Sequence, residues 1–275
     1  MATNRVETIL KRDRLILIAG LVVLTVIAAL YTVLGVGMRM SALGMTAMAG
    51  AAPGAGVGAV AMQPAQWTPV YFALVFLMWW VMMVAMMTPS ASPVILLYAA
   101  VKRQREPRPE VALLTVLFLA GYLLVWAGFS LIAAALQWAL ELRGLVSASM
   151  MTLTSTAFGG AVLLAAGLYQ FTPAKRACLH HCRSPVEYLS RHHRPGRAGA
   201  LRMGLGHGAY CLGCCWSLMA LLFFGGIMNL YWILGLALLV LGEKVLPRGD
   251  LIGRGVGAGL VLWGTLLLGS AAGMV

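Results

Sequence analysis

Apolar and polar positions in this chain fall into long blocks instead of alternating. Residues 15–38, 70–101, 111–140, 144–174, 203–242 and 255–275 contain no Asp, Glu, Lys or Arg. At 1.5 Å per residue each can cross a hydrocarbon core about 30 Å thick as a helix. The 203–242 run would reach about 60 Å and must fold back, and Gly225-Gly226 followed by Asn229 is the natural turn. The pattern therefore predicts an all-α polytopic membrane bundle of seven transmembrane helices, over about 15–37, 70–101, 111–140, 150–171, 204–224, 228–246 and 254–274. A basic tail, 1–14, precedes a single transmembrane domain, 15–275. The outer loop 38–68, with Ala51-Ala52-Pro53-Gly54-Ala55-Gly56, reads as a flexible connector. The inner loop 172–202 is too short and too basic to build its own core.

Composition agrees: 61% of residues are hydrophobic and 10% charged, against roughly 25% charged in soluble domains. The net charge of +12 would suggest nucleic acid in a soluble chain, but the positions of the charges argue otherwise. Eighteen of the twenty Lys and Arg fall in the tail or in loops on one side of the seven-helix scheme, leaving Arg39 and Arg143 on the other. The positive-inside rule puts the amino end in the cytoplasm and the carboxyl end outside, with no nucleic-acid partner expected. The first apolar run lacks a small-residue cleavage site and reads as a retained anchor.

The candidate chemistry is sulfur. Cys178 and Cys182 bracket His180-His181 in the inner loop, and Cys211, Cys214 and Cys215 lie in the fifth helix. Cysteines confined to the reducing side favour metal ligation or thiol chemistry over structural disulfides. At about 100° per residue, His207, Cys211, Cys214, Cys215 and Met219 fall on one side of that helix. In the second helix Met78, Met82 and Met86 form a stripe, with Met83 and Met87 beside it. Methionine stripes are often packing, but helix counting puts Met82, Met83, Met86 and Met87 at the mid-membrane depth of Cys214 and Cys215. Soft thiolate and thioether donors select Cu(I) first, with Zn as the alternative. Met38, Met40, Met45, Met48 and Met62 in the outer loop offer a looser capture surface.

Pro89 and Pro93 follow the methionines and predict a kink or break there. Glu243 reads as an interface carboxylate salt-paired with its neighbour Lys244. The Gly253, Gly255, Gly257 and Gly259 spacing in the last helix predicts close helix packing. No phosphate-binding loop, hydrolase elbow or mid-helix carboxylate relay occurs, so nucleotide-driven pumping, hydrolysis and proton coupling have no visible machinery.

Several segments resemble the bacterial predicted metal-binding integral membrane proteins classed as domain of unknown function 2182. They are the Trp79–Pro89 run, Tyr169–Lys175 leading to Cys178 and Cys182-Arg183-Ser184-Pro185, Tyr210–Met219, Gly226–Asn229 and Glu243-Lys244. The resemblance implies an integral protein of the bacterial inner (plasma) membrane, metal binding and, as such proteins are sometimes assigned, copper handling. The expectation is a non-enzymatic protein that holds or passes Cu(I) on Met82, Met83, Met86, Met87, Cys178, Cys182, His207, Cys211, Cys214, Cys215 and Met219. Its partners would be the bilayer and a soluble metal donor or acceptor. A metal-dependent assembly factor and a thiol redox protein are the alternatives. Whether the inner-loop and intramembrane groups form one site or two is open at this level, as is the oligomeric state.

Overall fold

The computed structural model describes residues 2–36, 38, 41–50, 66–104, 106–147 and 151–273, with the side chains of 2–13, 49–50 and 108 left aside. The core of the flexible-loop expectation, Ala51 to Gly56, and the capture residues Met40 and Met62 lie outside the described residues.

The chain is all-helical. Its elements are α1 (Ala2–Leu34), α2 (Ala42–Gly50), α3 (Pro69–Lys102), α4 (Arg108–Leu142), α5 (Thr156–Tyr169), α6 (Pro173–Arg183), α7 (Pro185–Arg191), α8 (Gly196–Ala220), α9 (Leu222–Gly225), α10 (Leu230–Val245) and α11 (Gly249–Ala271). Among the described residues, five stretches are long and apolar enough to cross a membrane: 14–34, 69–102, 109–142, 196–225 and 249–271. A sixth appears if α5 and α6, bent by 62° at residues 170–172, count as one. Of the seven expected spans, five or six are thus long and apolar enough among the described residues. The 150–171 run is helical only from Thr156, and the 228–246 run yields the 16-residue α10.

Local chemistry sets these ends. Thr68 accepts the Tyr71 amide and Pro69 opens α3, while Thr172 accepts the Lys175 amide and Pro173 opens α6. The turn after α9 falls where the glycines place it: Gly226 has φ +97°, and the Asn229 side chain caps α10 through the Tyr231 amide.

The prolines do not break α3, which runs unbroken through both. Pro93 has no N–H to offer the Pro89 carbonyl, and the Ser92 hydroxyl fills that gap at 2.8 Å.

The core is the α3, α4 and α8 trio, with α1 against α3, α6 along α8, and α5 against α11. Close crossings depend on glycine. A Cβ on Gly204 would strike the Phe118 carbonyl, so α8 touches the α4 backbone there. Gly257 and Gly264 do the same for α11: a Cβ on them would stand 2.7 Å from Gln170 Cβ and from the Leu164 amide. Gly253 also faces neighbours, whereas Gly255 and Gly259 face open space, so only half of the expected glycine run packs. Large apolar side chains stay exposed on α1, α4, α10 and α11, among them Ile27, Leu30, Val116, Ile132, Leu234, Leu238 and Leu262.

Candidate metal centre

Cys211, Cys214 and Cys215 are fully buried midway along α8, and side chains from four other helices meet them. From α6 the buried Cys182 side chain packs beside the Cys211 and Cys214 thiols. From α3 the Met87 sulfur lies 3.9 Å from Cys215 Sγ. From α4 the Tyr122 hydroxyl sits 3.2 Å from both Cys211 Sγ and the Met87 carbonyl. From α10 the Lys244 ammonium donates to Cys211 Sγ at 2.9 Å and to Ser90 Oγ at 3.0 Å. Ser90 in turn donates to the Met87 carbonyl at 2.9 Å. Cys182, Met87, Tyr122 and Lys244 thus bring α6, α3, α4 and α10 to one place on α8.

The remaining sequence-derived candidates divide by position. Cys178, one turn before Cys182, is half-buried against Gly213, where a Cβ would stand 2.6 Å from its sulfur. His207, one turn below Cys211, is buried among Tyr122, Phe118 and Tyr188 with ring centroids 5.7, 6.1 and 5.3 Å away. Its Nδ1 has no hydrogen-bond partner among the described residues. Met82, Met83, Met86 and Met219 are buried in the same core. All five cysteines are free thiols.

Among the described residues no three His, Cys, Asp or Glu side chains converge as a preformed metal-ion cage. The reason is visible in the thiols: Cys214 and Cys215 turn back onto the Cys211 carbonyl at 3.1 and 2.9 Å. The donor set is soft and wholly buried, which suits a low-coordinate Cu(I) cargo better than oxygen-seeking ions.

The Glu243 expectation needs correcting. Glu243 is salt-paired, but with Lys175 of α6, at 2.7 and 2.8 Å, and not with Lys244. Neighbours on a helix point about 100° apart, so Lys244 faces the sulfurs while Glu243 faces α6. Lys175 also bonds Gln170 beyond the end of α5, and Gly253 of α11 leaves room for the Glu243 carboxylate. The carboxyl-terminal ends of α5 and α10 and the amino-terminal end of α11 therefore meet at one buried ion pair beside the cysteines. Sequence reading missed the site roles of Lys244, Tyr122 and Ser90. A lysine within an apolar helix end was the available signal for the first, and the other two carried none.

The helical bundle thus holds a buried sulfur cluster walled by apolar helices, with the Lys244 ammonium in direct contact with it. The sequence profile of the PpoB2 family, described as copper chaperone, matches residues 76–267. The chain belongs to that family, whose handling of copper agrees with the metal-handling role expected above, though under a different family label. No curated protein and no solved structure matches the chain.

Proposed function

We infer that this protein is a membrane-embedded copper chaperone that carries Cu(I) as cargo on Cys182, Cys211, Cys214, Cys215 and Met87. The observation that carries this reading is the meeting of a cysteine from α6 and a methionine from α3 with three cysteines of α8 around a buried ammonium. Two thiolates on Cu(I) leave a net charge of −1. In a low-dielectric interior that charge is costly unless balanced, and Lys244 balances it. Tyr122 and Ser90 orient Cys211 and Lys244 and exclude water from the sulfurs.

The exposed apolar faces and five or six long helices support insertion in a bilayer. Seven crossings remain our reading, with α5 and α10 as short ones of about 21 and 24 Å at 1.5 Å per residue. The amino end is cytoplasmic by the distribution of basic residues. In this arrangement the cysteines lie where α5, α10 and α11 end on charged residues, closer to the inner face than helix counting suggested. That depth suits exchange with a soluble cytoplasmic donor or acceptor.

The test is the copper content of purified, detergent-solubilised protein, loaded with Cu(I) under reducing conditions. Stoichiometric copper in the wild type, lost on replacing Cys211, Cys214 and Cys215 by Ser, supports the reading. Unchanged copper in that variant removes the site.

A further inference from the structure

Beyond the cysteine cluster, one group of metal-binding side chains has no role so far: the histidines of α6 and α7. His181 and His192 are half-buried at the exposed end of the α6–α7 layer, with ring centroids 6.1 Å apart. His181 Nδ1 lies 2.8 Å from the Ala177 carbonyl, and His192 Nδ1 lies 3.1 Å from the Tyr188 carbonyl. A carbonyl only accepts, so each Nδ1 carries a proton, and in the neutral ring Nε2 is the nitrogen with the lone pair. A ring nitrogen fixed in this way is how proteins prepare an imidazole to bind metal through the other nitrogen. Both rings are also held flat on tyrosines, His181 on Tyr210 at 4.1 Å and His192 on Tyr188 at 4.8 Å. With metal–nitrogen distances of about 2.0–2.1 Å, two imidazoles sharing an ion through Nε2 have centroids roughly 5–6.5 Å apart. The observed spacing falls in that range. His180 and Glu187, whose Nε2 and Oε2 are 4.0 Å apart, stand beside the pair, with Glu187 also held by Arg191 at 3.1 Å.

The position of the pair gives it a purpose. Tyr188, under His192, contacts His207 at 5.3 Å; His207 contacts Tyr122 at 5.7 Å; the Tyr122 hydroxyl touches Cys211 Sγ. A continuous column of imidazole and phenol rings therefore joins the exposed pair to the buried sulfurs. Along it, His207 holds a buried nitrogen with no hydrogen-bond partner among the described residues.

We propose that His181 and His192 form a second, two-coordinate copper site, a surface port where Cu(I) is exchanged before or after it occupies the cysteine cluster. The transfer is ligand exchange with no change of oxidation state: a nitrogen–copper bond breaks as a sulfur–copper bond forms, and the proton that the thiol gives up is taken up by the imidazole nitrogen that copper has left. The identity of the cargo rests on the copper-chaperone reading; the existence of the histidine site does not. Two nitrogen donors suffice for Cu(I), and their weaker hold compared with thiolates suits a site that must release its ion.

The experiment is diethyl pyrocarbonate modification of untagged full-length protein, followed by mass spectrometry, with and without Cu(I). The exposed His193 is the internal control, and the Cys182, Cys211, Cys214 and Cys215 to Ser variant is run alongside. With Cu(I) at ten times its dissociation constant, mass action predicts about tenfold slower modification of His181 and His192, an unchanged rate at His193, and the same protection in the serine variant. Equal rates with and without copper at His181 and His192 overturn the port, even if the cysteines take up copper. Protected histidines in a protein whose cysteines bind none leave the port standing and remove the chaperone site instead. The wild-type arm decides the matter should the serine variant fail to fold.

Discussion

Replacing Lys244 by Met isolates the charge in the proposed copper centre, because the side chain keeps its length and loses its ammonium. In the folded protein that ammonium lies 2.9 Å from Cys211 Sγ in a buried setting. Breaking a buried charge pair by removing one partner costs about 3–5 kcal/mol. Tyr122 still offers its hydroxyl to the sulfur, so the lower end applies. At about 1.36 kcal/mol per factor of ten, a loss of about 3 kcal/mol weakens Cu(I) binding roughly 100-fold. The assay is competition with a chromophoric Cu(I) chelator in detergent micelles, repeated in a Cys211→Ser background. If Lys244 acts by balancing the Cys211-bound copper, the roughly 100-fold effect shrinks to a few-fold once Cys211 is gone. Affinity unchanged in the single variant, or the same loss with and without Cys211, would refute the charge-balance argument.

Other expectations follow from the same contacts. Cys182→Ser should lower copper content while Cys178→Ser leaves it nearly intact, since only Cys182 contacts the Cys211 and Cys214 thiols; elemental analysis of the two purified variants checks this. Glu243→Gln strands Lys175 in the interior and should cost about 3–5 kcal/mol of stability. The double replacement Lys175→Met with Glu243→Leu should recover much of that loss, read as thermal unfolding in detergent. Gly257→Leu should prevent α11 from docking beside Gln170, while Gly259→Leu, facing open space, should leave the melting temperature within a few degrees. His207→Phe keeps the stacked ring and removes the nitrogen, so it should preserve the fold but slow Cu(I) uptake by the cysteines in stopped-flow absorbance. An unchanged rate would assign His207 to packing.

Much was legible in the chain because helices in apolar surroundings satisfy their own backbone and leave block hydropathy as a direct record of their positions. The all-helical architecture, the fold-back at Gly225-Gly226 and the cap at Asn229 are local facts of this kind. So is the shared face of Cys211, Cys214 and Cys215, which follows from helical periodicity alone. Spacing could not tell Cys178 from Cys182, because it fixes a helix face and not the neighbour that face meets. The docking of α6 along α8 decided that Cys182 joins the cluster while Cys178 rests on Gly213.

The number of full-length spans, the continuity of α3 and the partner of Glu243 were likewise decided in three dimensions. Hydropathy counts residues, yet whether a run crosses straight, bends at residues 170–172 or stops after 16 residues depends on what packs against it. The proline signal was real, but a serine one residue before Pro93 supplied the missing hydrogen bond. Lys244 could be placed beside Glu243 by sequence, never beside a cysteine 33 positions away. Sequence sets the inventory of soft donors and the helices that bear them. Only packing, through glycine-mediated contact of α4 with α8 and the Lys175–Glu243 clamp, brings sulfur, ammonium and imidazole within reach of one another.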